Sequence, residues 1–232
     1  MARYPRFAPA GLPLHVTQRG NYRQDVFLTD GDRNFYLSLL DRHSAERAVK
    51  ILGYVLMTNH IHLIVEPPTD DGLSIMMQGL QSEYARAFNQ RHDQRGHVWQ
   101  DRFHSCVMDE HHVGIALAYV ELNPVRARMV ESATEYEWSS ARAHTGLTRP
   151  LALLDRQSFN ARFTTTDWRS ILKQKETSEE DRAELAAIRR ATRLNEPFAS
   201  AEFAKGLEEA HNVRLLRRPP GRPPKLKEQA AA

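Results

Sequence analysis

The period of hydrophobic and polar positions changes several times along the chain, and each change marks an element. Residues 14–20 read as a strand. Over residues 30–49, Phe35, Leu39 and Leu40 return at helical spacing, with Thr29 and Asp32 placed as a capping pair, so a helix is predicted. Residues 50–57 and 60–66 are short apolar runs separated only by Thr58 and Asn59, which predicts an antiparallel hairpin. Pro67 and Pro68 end the second run, and Leu73, Met76, Met77, Leu80, Tyr84 and Phe88 then mark a helix reaching His92. Beyond Gly96, residues 97–109 read as a loop leading into a fourth strand. A helix over 111–123 is closed by Pro124, which has no amide hydrogen to donate.

Strand, helix, strand, strand, helix, strand, helix is the order of a split βαβ unit. The expected fold is α+β: a ferredoxin-like antiparallel sheet with helices on one face, the other face being free to hold chemistry. Later helical stretches at 178–193, opening on Ser178 and Asp181, and at 200–210 look appended. The chain therefore divides into a main domain over 1–150, a helical extension over 151–213 and a tail over 214–232.

A length of 232 residues with 41% hydrophobic content suffices for a core without staples. Cys106 is the only cysteine, which excludes an intrachain disulfide, cysteine-based zinc sites and CxxC redox chemistry, and fits a reducing cytoplasm. The longest apolar run, 113–120, falls far short of the roughly 20 residues needed to span a bilayer, so no membrane partner is expected. Prolines 5, 9 and 13 break the N-terminal stretch, and no secretory signal is read there. The net charge of +3 says little, but its distribution says more. Residues 1–23 carry Arg3, Arg6, Arg19 and Arg23 and no acid, and residues 214–227 hold six basic residues, four prolines and no acid. That tail reads equally as a solvated terminus or a nucleic-acid contact.

His60 and His62 alternate along a strand, so both point to one face about 7 Å apart, and two imidazoles there can grip one metal. Eleven histidines in 232 residues produce roughly half such a pair by chance, so the pair alone leaves both readings open. Tyr119 and Asn123 are four apart and share a helical face. Each has a plain alternative, a core tyrosine and a helix cap before Pro124. Taken together the four make a constellation: a metal held by two nitrogens and an amide oxygen, beside a tyrosine able to attack phosphorus.

The stretches HVTQRGN (15–21), MTNHIHLIVEP (57–67), GHVWQDRFHS (96–105) and AYVELNPVRA (118–127) resemble the HUH single-tyrosine transposases of small insertion sequences, and within them the REP-associated tyrosine transposase branch. The likeness covers about residues 12–145, and LNEPFASAEFAKGLEE followed by RRPPGRPPK is similar to that branch's C-terminal extension. The resemblance implies that His60 and His62 are ligands of a divalent metal, Mg²⁺ or Mn²⁺, that Tyr119 is the nucleophile, and that Asn123 is a third ligand where mobile relatives commonly have glutamine. It further implies a single-stranded DNA endonuclease and strand transferase that works on REP-like palindromic hairpins through a 5′-phosphotyrosine link. A monomer associated with the nucleoid is expected.

Gln18, Arg19 and Asn21 have side chains able to read base edges, and Arg23 adds a basic group beside them, although the segment also reads as an edge strand ending at a Gly20 turn. Trp99 and Arg102 suit stacking on single strands, with core filling the alternative for Trp99. Arg126, just past the tyrosine helix, is placed to neutralise phosphate or to sit solvated. Two rival functions share these features. One is a domesticated hairpin-binding protein with little cleavage; the other is a metal phosphodiesterase that uses water, with Tyr119 structural.

Overall fold

The computed structural model describes residues 7–177 and 182–216. Arg3, Arg6, the Ser178 and Asp181 capping pair, and the tail beyond Leu216 lie outside the described residues. Four strands, β1 (Leu14–Arg19), β2 (Lys50–Leu56), β3 (His60–Glu66) and β4 (His104–Val107), form one antiparallel sheet in the order β2-β3-β1-β4. β1 is thus central rather than an edge, paired with β3 on one side and β4 on the other. The hairpin closes where the Met57 amide donates to the His60 carbonyl, around Thr58 and Asn59.

Helix α1 (Asp30–Glu46) opens on a complete capping box, with the Thr29 hydroxyl accepting from the Asp32 amide and the Asp32 carboxylate accepting from that of Thr29. It lies beside α2 (Gly72–Arg91) on one face of the sheet. There Leu14, Val16, Tyr54, Leu56, Ile61, Leu63 and Val65 meet Tyr36, Leu40, Met76, Leu80 and Tyr84 in one buried cluster.

The opposite face, expected to be open, is largely covered. Leu52, Val55, Ile64 and Cys106 project there and are as apolar as their counterparts, so they too must leave water. Across them lies α3 (Glu110–Glu121), followed by the short helices α4 (Asn123–Arg126), α5 (Ala141–His144) and α6 (Arg156–Asn160). The extension supplies α7 (Thr165–Thr177) and α8 (Arg182–Leu194), which pack on α3, β4 and β1, and α9 (Ala201–His211), capped by Ser200. Gly53 permits the close approach of α3: a methyl group there would lie 2.6 Å from Leu117 Cδ2. Pro124 does not end helical structure. It sits in the first turn of α4, where a missing amide hydrogen costs nothing.

Candidate active site

Strand register decides which side chains share the second face. Across β3, β1 and β4 the Cα partners are His60 with Arg19, then His62 with Thr17 and His104, then Ile64 with His15 and Cys106. Directly paired residues point to the same side, so one histidine from β1 and one from β4 join the pair on β3. His15 stands diagonal to His62, and their rings stack 5.0 Å apart at 9° with Nε2 of His15 2.8 Å from Nδ1 of His62. The rings of His60 and His62 meet edge to face at 5.0 Å.

Helix α3 brings Tyr119 onto this group. Its ring lies edge-on to both His62 and His15, with centroids 5.6 Å from each, and is 7% exposed. Arg126 reaches back from α4, its guanidinium 4.6 Å above the Tyr119 ring and donating to the Tyr119 carbonyl. The helix is anchored two residues later by Glu121, a fully buried carboxylate. Its Oε1 accepts from the Ser140 hydroxyl at 2.5 Å and from His144 Nδ1 at 2.6 Å, and its Oε2 from the Trp168 indole at 2.8 Å. A cavity of about 140 Å³ adjoins Tyr119, bounded by Arg126, Ile188 and the Lys175–Glu184 ion pair.

Electrostatically the site suits neutral imidazoles. Burial pushes His15 down to about 3 and His60 to about 4, Arg19 adding to the effect on His60. Burial, then the neighbouring His15, His60 and arginines, holds His62 well below the ordinary range. Neutral rings keep lone pairs, so His60 and His62 fit the donor type a divalent metal needs. Among the described residues no three His, Cys, Asp or Glu side chains converge as a ready-made cage, so further donors would have to be of another kind. Asn123 donates its amide nitrogen to the carbonyls of Tyr119 at 2.9 Å and Val120 at 3.3 Å, which leaves its carboxamide oxygen as the end open to other partners.

The DNA-reading candidates separate. Arg19 shares the histidine face and is exposed, and the turn over Asn21–Arg23 folds beside the hairpin, with the Gly20 amide bonded to the Asn59 carbonyl and Asn59 Nδ2 to that of Arg23. Residues 98–102 run alongside, through the Gly20–Trp99 bridge and the Gln100 amide on the Arg19 carbonyl, and leave Arg102 exposed. Gln18 instead points to the α1–α2 face, buried and donating to the Asp101 carbonyl. Trp99 packs against that core and donates its indole to the Gln81 carbonyl.

Sequence reasoning missed His15, Glu121, Thr192 and Tyr22. His15 lay inside a quoted motif, but its partner depends on register. Tyr22 is 94% exposed at a backbone φ of 51°, a conformation that turns the chain sharply after β1.

Residues 10–123, which hold this sheet, its clustered histidines and the tyrosine helix, match the model of the IS200-like transposases. A solved REP-associated tyrosine transposase bound to a REP hairpin superposes with a TM-score of 0.54 at 19% identity, over 67% of this chain and 98% of that one, a likeness of fold. A candidate transposase from Deinococcus radiodurans R1 aligns at 16% identity with a TM-score of 0.37, over 52% of this chain and 96% of its own. No curated protein matches. Among the described residues no helix is long and apolar enough to cross a membrane.

Proposed function

We propose that this protein nicks and rejoins single-stranded DNA beside palindromic hairpins, using Tyr119 as nucleophile. The observation that carries the reading is the seat of the Tyr119 ring, 5.6 Å from the rings of His62 and His15 and under the Arg126 guanidinium. The tyrosine oxygen attacks phosphorus, the bond from phosphorus to the 3′ oxygen breaks, and the phenolic proton passes by way of solvent to the departing 3′ oxygen. The products are a 5′-phosphotyrosine and a free 3′-hydroxyl. The link keeps the phosphodiester energy, so a later 3′-hydroxyl can reverse the step and join strands.

His60 and His62, with Asn123, would hold a Mg²⁺ or Mn²⁺ ion, which when bound polarises the scissile phosphate. Arg126 orients the tyrosine through its ring and carbonyl. Arg19, Asn21, Arg23 and Arg102, with Tyr22 among them, form the edge that would receive a single strand, the arginines on phosphate and the tyrosine under a base. The hairpin bound by the REP-associated structural neighbour supports this class of substrate.

The test is incubation with a labelled hairpin carrying a single-stranded flank, in Mn²⁺ or Mg²⁺, resolved on a denaturing gel. A covalent adduct is expected with the wild type and none with Tyr119→Phe, which should still bind the hairpin. An adduct that persists in the variant removes Tyr119 from its role. Cleavage with no adduct at any time would favour water as the nucleophile, and binding without cleavage a domesticated binder.

A further inference from the structure

The protons between the extension and the histidine site can be assigned from the partners alone. Thr192, on α8, sits with its hydroxyl oxygen 2.8 Å from the Ile188 carbonyl and 2.8 Å from Nδ1 of His15. A carbonyl only accepts, so the single hydroxyl proton lies toward Ile188 and Thr192 must accept from His15. His15 is buried, and among the described residues its hydrogen-bond partners are Thr192 and His62, with no carboxylate to support a charged ring. A neutral ring that donates from Nδ1 accepts at Nε2, so the proton on the next bond belongs to Nδ1 of His62. The far nitrogen of His62, Nε2, is then bare.

His60 reaches the same state by a separate route. Asn59 donates its amide nitrogen to the Arg23 carbonyl at 3.1 Å, which turns its oxygen to His60 Nδ1 at 2.6 Å and makes that nitrogen a donor.

We infer that Thr192, supplied by α8 from outside the family match, is a positioning residue for the histidine pair: through His15 it fixes the tautomer of His62 and presents Nε2 as the free lone pair. The inference rests on the proposed reading only for its consequence, that a metal finds its nitrogen ready. It gives the extension a part in the chemistry of the sheet. Cys106, whose Sγ lies 3.3 Å from the same hydroxyl, fits as a second donor to it and leaves the direction unchanged.

The test uses the full ¹⁵N-labelled chain at neutral pH without metal, reading the ring nitrogens by two-bond proton–nitrogen correlation. In the wild type His15, His60 and His62 should all carry the proton on Nδ1. Thr192→Val removes the acceptor, so His15 and His62 should flip together toward the Nε2–H form while His60 stays unchanged, and Thr192→Ser should restore both. Mn²⁺ affinity should fall about 10-fold in Thr192→Val, the range typical for loss of a group that orients a metal-binding histidine. A wild-type His62 protonated on Nε2 overturns the inference whether or not the variant folds, and so does a Thr192→Val spectrum with both rings unmoved. If the flip occurs but Mn²⁺ does not bind the wild type, the relay stands and the metal reading fails. Mn²⁺ binding with unmoved tautomers is the reverse case.

Discussion

Glu121→Ala should loosen the tyrosine helix from the body of the protein. The carboxylate is fully buried and accepts three hydrogen bonds, from Ser140, His144 and Trp168, tying α3 to α5 and α7. An orphaned buried donor costs about 1–3 kcal/mol. The Ser140 hydroxyl has the Tyr54 carbonyl 3.4 Å away as a fallback, whereas the His144 ring is held by stacking on Phe159 at 3.8 Å and Trp168 is wholly enclosed. Taking about 1 kcal/mol for Ser140 and about 1.5 for each of the others gives a loss of about 4 kcal/mol, against a stability of about 5–15 for a typical domain. For a chain of this length that is a drop of about 8–16 °C in Tm. Urea unfolding followed by circular dichroism and tryptophan fluorescence measures it directly. Glu121→Gln, which keeps the shape but turns an amide donor toward one of the three, should lose about half as much. A loss under about 1 kcal/mol in the alanine variant, with an unchanged m value, would show that the network does not hold the helix and that the reasoning is wrong.

Burial works against the Asp32 carboxylate but is outweighed by His92, Arg91 and Thr29, which together bring it down to about 2 from an ordinary 3.8. A depressed carboxylate contributes stability above its unfolded value and loses it as pH falls through the folded one, so about 2 kcal/mol should vanish between roughly pH 4 and pH 2; Asp32→Asn should flatten that part of the stability profile. Tyr22→Ala should weaken single-stranded DNA binding by about 1–3 kcal/mol while Tyr22→Phe keeps it, since stacking needs the ring and not the hydroxyl; equal affinities in a fluorescence titration would remove Tyr22 from the interface. Deleting residues 217–232, with Arg217, Arg218, Arg222, Lys225 and Lys227, should flatten the slope of log K against log salt by about 2–3 and weaken all hairpins alike. A slope that does not change means that these residues do not contact phosphate.

Local rules made much of this protein legible from its residues. A strand-like segment and two short apolar runs marked β1 to β3, the Thr29–Asp32 pair opened α1 at its true start, and a two-residue gap made the hairpin. The pleat of a single strand placed His60 and His62 on one face, whereas the four-residue step from Tyr119 to Asn123 crosses from α3 into α4, where the Asn123 amide caps the Tyr119 carbonyl. What depended on contact between distant segments was not legible. Which β1 residue meets His62 is set by strand register, and register is set by burial of the whole sheet. That is why His15 stayed hidden within a stretch read for its base-contacting side chains, and why Gln18 and Trp99 proved to face the core. Thr192 lies 177 residues from His15, so only packing of α8 on β1 and β4 could bring them together. The second face of the sheet closed over because its apolar residues required cover, and a helix brought there to bury Leu52 and Ile64 also carries Tyr119 to the imidazoles. Sequence determines which groups each strand and helix can offer, while the burial of apolar surface decides which of them meet.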